Sequence, residues 1–186
     1  MDERTPVSKV MTSDVIATTP DARVEEAARL LREHHISGVP VLGGNGRVVG
    51  VLTESDLVRD LHAAAGVDSP RGLLDLVLES APARGESLLE ICRNRLRRAR
   101  VRELMSQPAV TVERTASVQE AARLLRVSGA NRLPVVDRDE RLVGIVTRGD
   151  LVAAISGGTP HARGALHPSS ARAAPDRVPS DPYSDA

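Results

Sequence analysis

The sequence predicts an α/β fold made of two similar units, each with the element order β-α-β-β-α. The first observation is a repeat: with a constant shift of 94 residues, positions 11–58 align without a gap on 105–152, and 19 of the 48 pairs are identical. The second is helical spacing of apolar residues, and the third is a turn between two β-rich runs in each copy. Self-similarity of this extent indicates duplication of one structural unit.

Each unit is expected to begin with a short strand and a helix. Val15–Thr18 is a short apolar run followed by a proline turn. From Val24 onward, apolar residues recur at helical spacing. The second copy repeats this pattern after a capping box, Ser117-Val118-Gln119-Glu120. The first copy has Arg23 at the capping position, so the start of its helix is less well marked.

A β-hairpin and a second helix complete each unit. In the first copy, Gly38–Leu42 and Val48–Leu52 flank Gly43-Gly44-Asn45-Gly46, a hairpin turn signal, and Asp137–Glu140 is the corresponding turn of the second copy. One unit of about 50 residues buries too little surface to be stable alone, so we expect the two to pack face to face around a shared core. The second helices are expected at about Glu54–Ala65 and Arg148–Ile155.

Four segments are predicted along the chain. In the segment between the repeats, Arg71–Leu78 is expected to be a short helix or extended, and Glu86–Leu104 to be a helix. The end of the chain is rich in Pro, Ser, Ala and Arg without apolar periodicity, so we expect disorder. The predicted segments are the first unit (7–62), a helical insertion (63–100), the second unit (101–155) and a disordered C-terminal tail (156–186).

Composition disfavours several classes of protein. Apolar residues make up 41% of the chain, enough for a core, but Tyr183 is the only aromatic residue, so nucleic-acid bases have no stacking platforms. Lys plus Arg and Asp plus Glu are both 25, and zero net charge makes nucleic acid an unlikely partner. Cys92 is the only cysteine, which excludes an internal disulfide. No run predicts a membrane span or signal peptide, so a cytoplasmic protein is expected.

Each unit places the motif Thr-x-x-Asp at the end of its last strand, as Thr53 to Asp56 and as Thr147 to Asp150. One interpretation is helix capping, because Thr accepts from a backbone N–H and an acid suits the positive end of the helix dipole. The other is ligand binding, because a helix N-terminus attracts anions and a carboxylate accepts hydrogen bonds from a ribose diol. The residues alone leave both interpretations open.

Further motifs surround these positions. The first copy contains Val10-Met11-Thr12, Ile36–Val41 and Val49–Leu57, and the second contains Arg132–Val136 and Val143–Leu151. With these motifs the chain resembles a tandem pair of CBS (cystathionine-β-synthase) domains, or Bateman module. The resemblance implies a pseudo-twofold pair of units with two clefts between them. It also implies adenosine-containing ligands in those clefts: AMP, ADP, ATP or S-adenosylmethionine.

The resemblance assigns roles to individual residues. It implies that Asp56 and Asp150 hold the ribose hydroxyls and that Thr53 and Thr147 lie near ribose and phosphate. First-strand residues would contact the base, largely through backbone atoms, and residues around the following proline would approach the phosphates. These are Ile16, Ala17 and Thr18 with Val110, Thr111 and Val112 for the base, and Ser37, Gly38, Val39 and Pro40 with Asn131, Arg132, Leu133 and Pro134 for the phosphates.

The two copies are unequal at two of these positions. The second has Thr111 where the first has Ala17, and Arg132 where the first has Gly38. Only the second copy therefore carries that guanidinium for a phosphate. We expect the Asp150 cleft to suit a charged nucleotide better than the Asp56 cleft.

Other candidate residues give weaker indications of function. The run of arginines over Arg93–Arg102 is either a solvated helix face or a surface for phosphates or nucleic acid. His34 and His35 lack partners at metal-ligand spacing, and Cys92 is expected to be packed rather than reactive. No Ser-His-Asp order, P-loop or paired catalytic carboxylates are evident, so no metal, catalytic residue or required cofactor is predicted.

The favoured function is a stand-alone regulatory CBS pair that binds an adenosine-containing ligand and acts on an unknown downstream protein. The resemblance also implies a homodimer formed through the second helices of both units. Two alternatives remain: a ligand-free dimerisation scaffold in which the Thr-x-x-Asp motifs only cap helices, and nucleic-acid binding through the Arg93–Arg102 helix. An enzyme is the least favoured class.

Overall fold

A computed structural model of the chain describes residues 4–64 and 88–156. The predicted α/β fold is confirmed, and the two units share the order helix, hairpin, helix. The suggested Arg71–Leu78 segment and the tail from residue 157 lie outside the described residues. The elements are a 3-10 turn (Val7–Lys9), α1 (Val24–Glu33), β1 (Gly38–Leu42), β2 (Val48–Thr53), α2 (Glu54–Ala64), α3 (Leu88–Arg98), α4 (Val101–Leu104), β3 (Val112–Glu113), α5 (Val118–Ser128), β4 (Arg132–Val136), β5 (Leu142–Thr147) and α6 (Arg148–Ile155).

An antiparallel hairpin lies at the centre of each unit, as the turn signals predicted. β1 pairs with β2, and β4 pairs with β5 in the equivalent register. Gly46 supplies the positive φ (77°) that the first turn requires, whereas Glu140 adopts it (62°) in the second. The second helix of each unit begins directly after its hairpin, so the last strand residue is also the first capping residue of the helix.

The first strand of each unit is shorter than expected. Of the run Val15–Thr18 only Thr18 pairs: its N–H donates to the oxygen of Pro40 at 3.0 Å, and its own oxygen accepts from Leu42 at 2.8 Å. A longer parallel ladder would next need an N–H at position 40, which proline lacks. The prediction of a strand over 15–18 is therefore wrong. In the second unit β3 has only two residues, beside a strand that carries Pro134.

The helix starts differ between the copies as the sequence predicted. The Ser117 hydroxyl accepts a hydrogen bond from the Glu120 N–H at 3.1 Å. The Arg23 side chain has no oxygen to offer there, and the Glu26 carboxylate instead accepts from the Arg23 N–H at 3.1 Å. Of the two hydrogen bonds of a capping box, the first helix therefore has only the one from the N-cap N–H to the Glu26 side chain.

The prediction of one helix over Glu86–Leu104 is wrong, because the helix is interrupted. Its first part packs against α1 and α2 and ends at Arg98. Arg100 is extended (φ −99°, ψ 151°), and beside it the oxygen of Ala99 accepts from the Val24 N–H at 3.0 Å. This contact with the start of α1 ends α3 at a point where the apolar spacing of the sequence predicts that the helix continues. Helix α4 begins at Val101.

The interior consists of two hydrophobic clusters instead of the single shared core that was expected. The cluster of the first unit is completed by Ala99, Val101 and Leu104, from the leading segment of the second unit, residues 99–106. The cluster of the second unit is completed by Val7 and Val10, from the leading segment of the first unit, residues 7–12. Val7, Val10 and Val101 are at most 1% exposed. Each unit therefore packs around the leading segment of the other, and this exchange joins them.

A methionine anchors each exchanged segment. Met105 lies over Gly50 of β2, where an added Cβ would be 2.7 Å from the methionine sulfur. Met11 lies over Gly144 of β5 in the same way, at even closer range. Because a side chain at either glycine would collide with the methionine, the two glycines make room for the exchanged segments.

Candidate functional site

The two Thr-x-x-Asp motifs have the same local geometry. Oδ2 of Asp150 accepts from the N–H and the hydroxyl of Thr147, at 2.8 and 2.7 Å. Oδ2 of Asp56 accepts from the same groups of Thr53, at 2.9 and 2.6 Å. Each threonine ends a strand immediately before a helix, so a carboxylate three residues later folds back onto it. Both motifs therefore cap their helices, and this role uses one carboxylate oxygen of each Asp.

Both carboxylates are buried in the protein. Asp56 is 4% and Asp150 is 5% exposed, and Thr18 (8%) is the other buried polar residue in the described ranges. A buried charge is retained only where hydrogen bonds stabilise it. All three of these residues belong to the predicted binding set, so the polar groups that the fold buries are the ones expected to meet a ligand.

Asp56 lies beside the segment that leads into the second unit. The Ser106 hydroxyl donates to Oδ1 of Asp56 at 3.2 Å. Ser106 is fixed there by two backbone hydrogen bonds with Val51 of β2, of 3.1 and 2.9 Å. The chain then continues from Ser106 to the predicted base-contacting residues Val110, Thr111 and Val112.

The first leading segment repeats this arrangement in the second unit. Thr12, the equivalent of Ser106, makes two backbone hydrogen bonds of 2.9 Å with Ile145 of β5. The chain continues from Thr12 to Ile16 and Thr18. The sequence comparison grouped Thr111 with Asp150 because both belong to the second copy. The contact of Ser106 with Asp56 shows instead that the carboxylate of the first unit lies beside a segment of the second.

The two carboxylates differ in their remaining oxygen. Oδ1 of Asp56 accepts from Arg59 at 3.1 Å as well as from Ser106. Within residues 4–64 and 88–156, the donors that reach Asp150 all belong to Thr147, and none reaches Oδ1. Sequence reasoning missed both partners of Asp56. The spacing of three residues on one helix could have indicated Arg59, but nothing local indicates Ser106.

Arg132 lies elsewhere than the sequence comparison assumed. Its NH1 donates to the oxygen of Gly38 at 2.9 Å and its NH2 donates to the Ser37 hydroxyl, so the side chain crosses from the second unit to the first. Nε is buried and has no acceptor among the described residues. Burial lowers the pKa of the Arg132 guanidinium, and the neighbouring Glu54 carboxylate partly offsets this. The guanidinium therefore sits on the residues predicted to approach the phosphates of the first unit.

The remaining predicted site residues fall into two groups. Val39 and Leu133 are fully buried in the two clusters, and the prolines that follow them are buried as well. Ile16 is half-buried, Val110 is 38% exposed and Asn131 is exposed. The first group shapes the strands, and the second group can offer side chains.

Ion pairs hold three of the six arginines of the run Arg93–Arg102. Arg95 binds Asp60 of α2 through two hydrogen bonds of 2.8 Å, which raise the pKa of the guanidinium. Arg93 and Arg98 remain exposed. The paired arginines thus fasten α3 and α4 to the first unit, and the exposed remainder of the run fits the predicted solvated helix face. Further pairs join Arg97 to Glu25 (3.8 Å) and Arg102 to Asp21 (2.5 Å).

The described parts of the chain offer neither a metal cluster nor a membrane-spanning helix. No three His, Cys, Asp or Glu side chains in these parts come together in a way that could hold a metal ion. No helix in the same ranges is long and apolar enough to cross a membrane. His35 adopts a positive φ (51°) just after α1. Cys92 belongs to α3, and its side chain is not among those described.

Known proteins share both the sequence pattern and the fold. The family model of the CBS domain matches residues 7–63 and 101–157. An uncharacterised protein of Methanocaldococcus jannaschii, MJ1426, is 35% identical over 147 residues, which cover 75% of this chain and 85% of that protein. A CBS domain-containing protein of Dictyostelium discoideum is 34% identical over 146 residues, covering 78% of this chain and 88% of the relative.

A solved structure extends the comparison to three dimensions. The crystal structure of CBSX2 from Arabidopsis thaliana, a CBS-pair protein in complex with AMP, superposes with a TM-score of 0.59 at 29% identity. The match covers 82% of this chain and 96% of that one. The two family matches coincide with the two units described above, each with its Thr-x-x-Asp motif. The chain therefore belongs to the CBS-domain family and carries one CBS domain in each of its units.

Proposed function

We propose that this CBS pair is a regulatory module that binds an adenosine-containing ligand: AMP, ADP, ATP or S-adenosylmethionine. One observation carries the proposal: Asp150 is buried, its Oδ2 is held by Thr147, and its Oδ1 accepts no hydrogen bond from a described residue. A ribose diol presents the hydroxyl donors that such an oxygen accepts. The AMP complex of CBSX2, a relative in fold at 29% identity, supports this class of ligand.

Two arginines favour a phosphorylated ligand. The guanidinium of Arg132 lies on Ser37 and Gly38 of the first unit, and the exposed Arg148 is the first residue of α6 in the second unit. Guanidinium groups bind phosphate through strong charge-assisted hydrogen bonds. The start of a helix adds the partial positive charge of its free N–H groups. AMP should therefore bind more tightly than adenosine.

Calorimetric titration of the purified protein with AMP, ATP, S-adenosylmethionine and adenosine tests the proposal. Asp150→Ala should weaken binding of the active ligand by about 1–3 kcal/mol, the cost of removing a hydrogen-bond partner. Asp139→Ala, in the exposed turn of the second hairpin, removes an equal charge and should leave binding unchanged. Absence of binding by all four compounds would contradict the proposal and favour the ligand-free scaffold.

The proposed output is control of another protein, with no chemical reaction in this chain. A ligand can regulate only when it prefers one conformation of the protein over another. Because the carboxylate of the first unit lies beside a segment of the second, a ligand held there can change how the units are oriented. Action on a downstream protein and a cytoplasmic location stay predictions.

A homodimer through the second helices is part of the proposal. Val58 of α2 and Val152 of α6 occupy equivalent positions and are 50% and 63% exposed, and Ile155 of α6 is 52% exposed. Burial of such apolar surface in a second copy is favourable. Sedimentation should show a dimer that the double variant Val58→Asp, Val152→Asp converts to a monomer. Val127→Asp, on the exposed side of α5, is the control and should remain dimeric.

A further inference from the structure

We propose that Arg59 lowers the affinity of the first cleft for a ribose by occupying the Asp56 carboxylate, and so makes the two clefts unequal. This inference rests on the proposed binding of adenosine-containing ligands. It concerns the carboxylates themselves and is independent of the difference between Gly38 and Arg132. Its starting point is the contact of Arg59 NH1 with Oδ1 of Asp56, at 3.1 Å.

The Asp56 carboxylate has no unused acceptor position. An ionised carboxylate offers about four lone-pair positions. Thr53 fills two on Oδ2 through its N–H and hydroxyl, and Arg59 and Ser106 each donate one hydrogen bond to Oδ1. A ribose hydroxyl can reach this carboxylate only when one of these donors leaves.

The Asp150 carboxylate differs at both positions that supply the extra donors. Ala153 stands at the position equivalent to Arg59 and has no group to donate. Thr12 stands at the position equivalent to Ser106, but in the described part of the chain Asp150 receives hydrogen bonds from Thr147 alone. A ribose therefore meets an open Oδ1 in the second motif and an occupied Oδ1 in the first.

Arg59 is the donor that a ligand would displace. Its side chain is 72% exposed, whereas that of Asp56 is 3% exposed, so the guanidinium covers the carboxylate from the solvent side. Ser106 is held in place by its backbone pairing with Val51. An ion pair with one exposed partner is weak, which corresponds to a change in affinity of about 2–5-fold. A ligand in the first cleft can therefore displace Arg59 from the Asp56 carboxylate.

Adenosine is the probe for the test, because a neutral ligand gains nothing from the positive charge of Arg59. Two single-cleft proteins separate the sites: Asp150→Ala retains the first cleft and Asp56→Ala retains the second. In the first background, Arg59→Ala should raise the affinity for adenosine about 2–5-fold. In the second background, Ala153→Arg should lower it by a similar factor. Arg126→Ala, an exposed arginine of α5, is the charge-matched control and should change neither.

Salt gives a second readout that a merely structural role of Arg59 would not produce. Added salt screens an exposed ion pair, so the affinity of the first cleft for adenosine should rise with ionic strength while Arg59 is present. The rise should disappear in Arg59→Ala. Circular dichroism checks that each alanine variant is folded. Where Asp56→Ala or Asp150→Ala unfolds the protein, Asp56→Asn or Asp150→Asn is used in its place.

The possible failures are distinguishable. An unchanged or lower adenosine affinity after Arg59→Ala in the first-cleft protein, together with normal binding by the second cleft, overturns the role of Arg59 alone. If the unmodified protein binds none of AMP, ATP, S-adenosylmethionine and adenosine, the proposed function is overturned and this inference with it.

Discussion

Gly38 and Arg132 occupy equivalent positions in the two units, and they contact each other: NH1 of Arg132 donates to the oxygen of Gly38 at 2.9 Å. A Cβ on Gly38 would lie 3.1 Å from Cζ of Arg132 and 2.9 Å from the oxygen of Leu52. Gly38 has no side chain at this point, and the Arg132 guanidinium occupies the space. The two copies therefore differ where the units meet, and the contact requires this difference.

Gly38→Ala should destabilise the protein by about 1–3 kcal/mol, because the added methyl group must displace backbone or the guanidinium in a well-packed place. Urea unfolding followed by circular dichroism measures the change. Gly44→Ala is the control, since a Cβ at Gly44 meets nothing within 4 Å. Its effect should stay within about 0.5 kcal/mol. Equal stability of the two variants would show that the Arg132 side chain moves aside at no cost in stability.

Arg132→Met should separate stability from ligand choice. The methionine keeps much of the apolar stem and removes a guanidinium whose Nε is buried without an acceptor. Because the desolvation of a charge offsets most of what its hydrogen bonds contribute, stability should change by less than about 1 kcal/mol. AMP affinity should fall about tenfold, close to that of adenosine, through loss of a charge-assisted contact. Unchanged AMP affinity, with exposed Arg123→Met as control, would contradict a phosphate role for Arg132.

The exchange of leading segments predicts a specific coupling between Met11 and Gly144. Gly144→Ala should destabilise the protein by about 1–3 kcal/mol, because the new Cβ collides with the methionine side chain. Met11→Ala in the same protein should recover part of that loss, so the two effects are not additive by about 0.5–3 kcal/mol. Met105→Ala combined with Gly144→Ala should be additive, because Met105 contacts Gly50 instead. Additivity in both pairs, measured by urea unfolding, would contradict the exchange.

Local patterns in the sequence located the hairpin and the two flanking helices of each unit correctly. The spacing from Val24 and the glycine-rich turn before Arg47 depend on neighbours in the chain, and the structure follows them. Two predictions failed where a distant residue decides. Pro40 lacks the N–H that a longer first strand needs, and the pairing of Ala99 with Val24 ends α3.

The candidate site shows the same division between local and long-range information. The Thr-x-x-Asp geometry was predictable, because Thr53 and Asp56 lie one helical turn apart. The contact of Ser106 with Asp56 was not predictable. The repeat aligns each leading segment with its own copy, and it does not indicate which unit that segment packs against. The position of Arg132 on Gly38 likewise depends on how the two units meet.

The attachment of α3 to the first unit can be tested at Asp60. Arg95 binds Asp60 through Nε and NH2, both at 2.8 Å, and their side chains are 35% and 18% exposed. Asp60→Ala should lower the free energy of unfolding by about 1 kcal/mol, because the pair is bidentate but partly solvated. Amide hydrogen exchange over 88–98 should become faster than in the rest of the protein, since local opening becomes easier.

Arg93→Ala is the matched control for this test, because Arg93 belongs to the same helix but is exposed. It should leave exchange over 88–98 unchanged. Arg95 keeps a second partner in Asp60→Ala, since its NH1 lies 3.6 Å from Glu103, so the helix should loosen without detaching completely. Unchanged exchange in Asp60→Ala would instead mean that apolar contacts such as those of Leu96 with the first cluster are sufficient to hold α3.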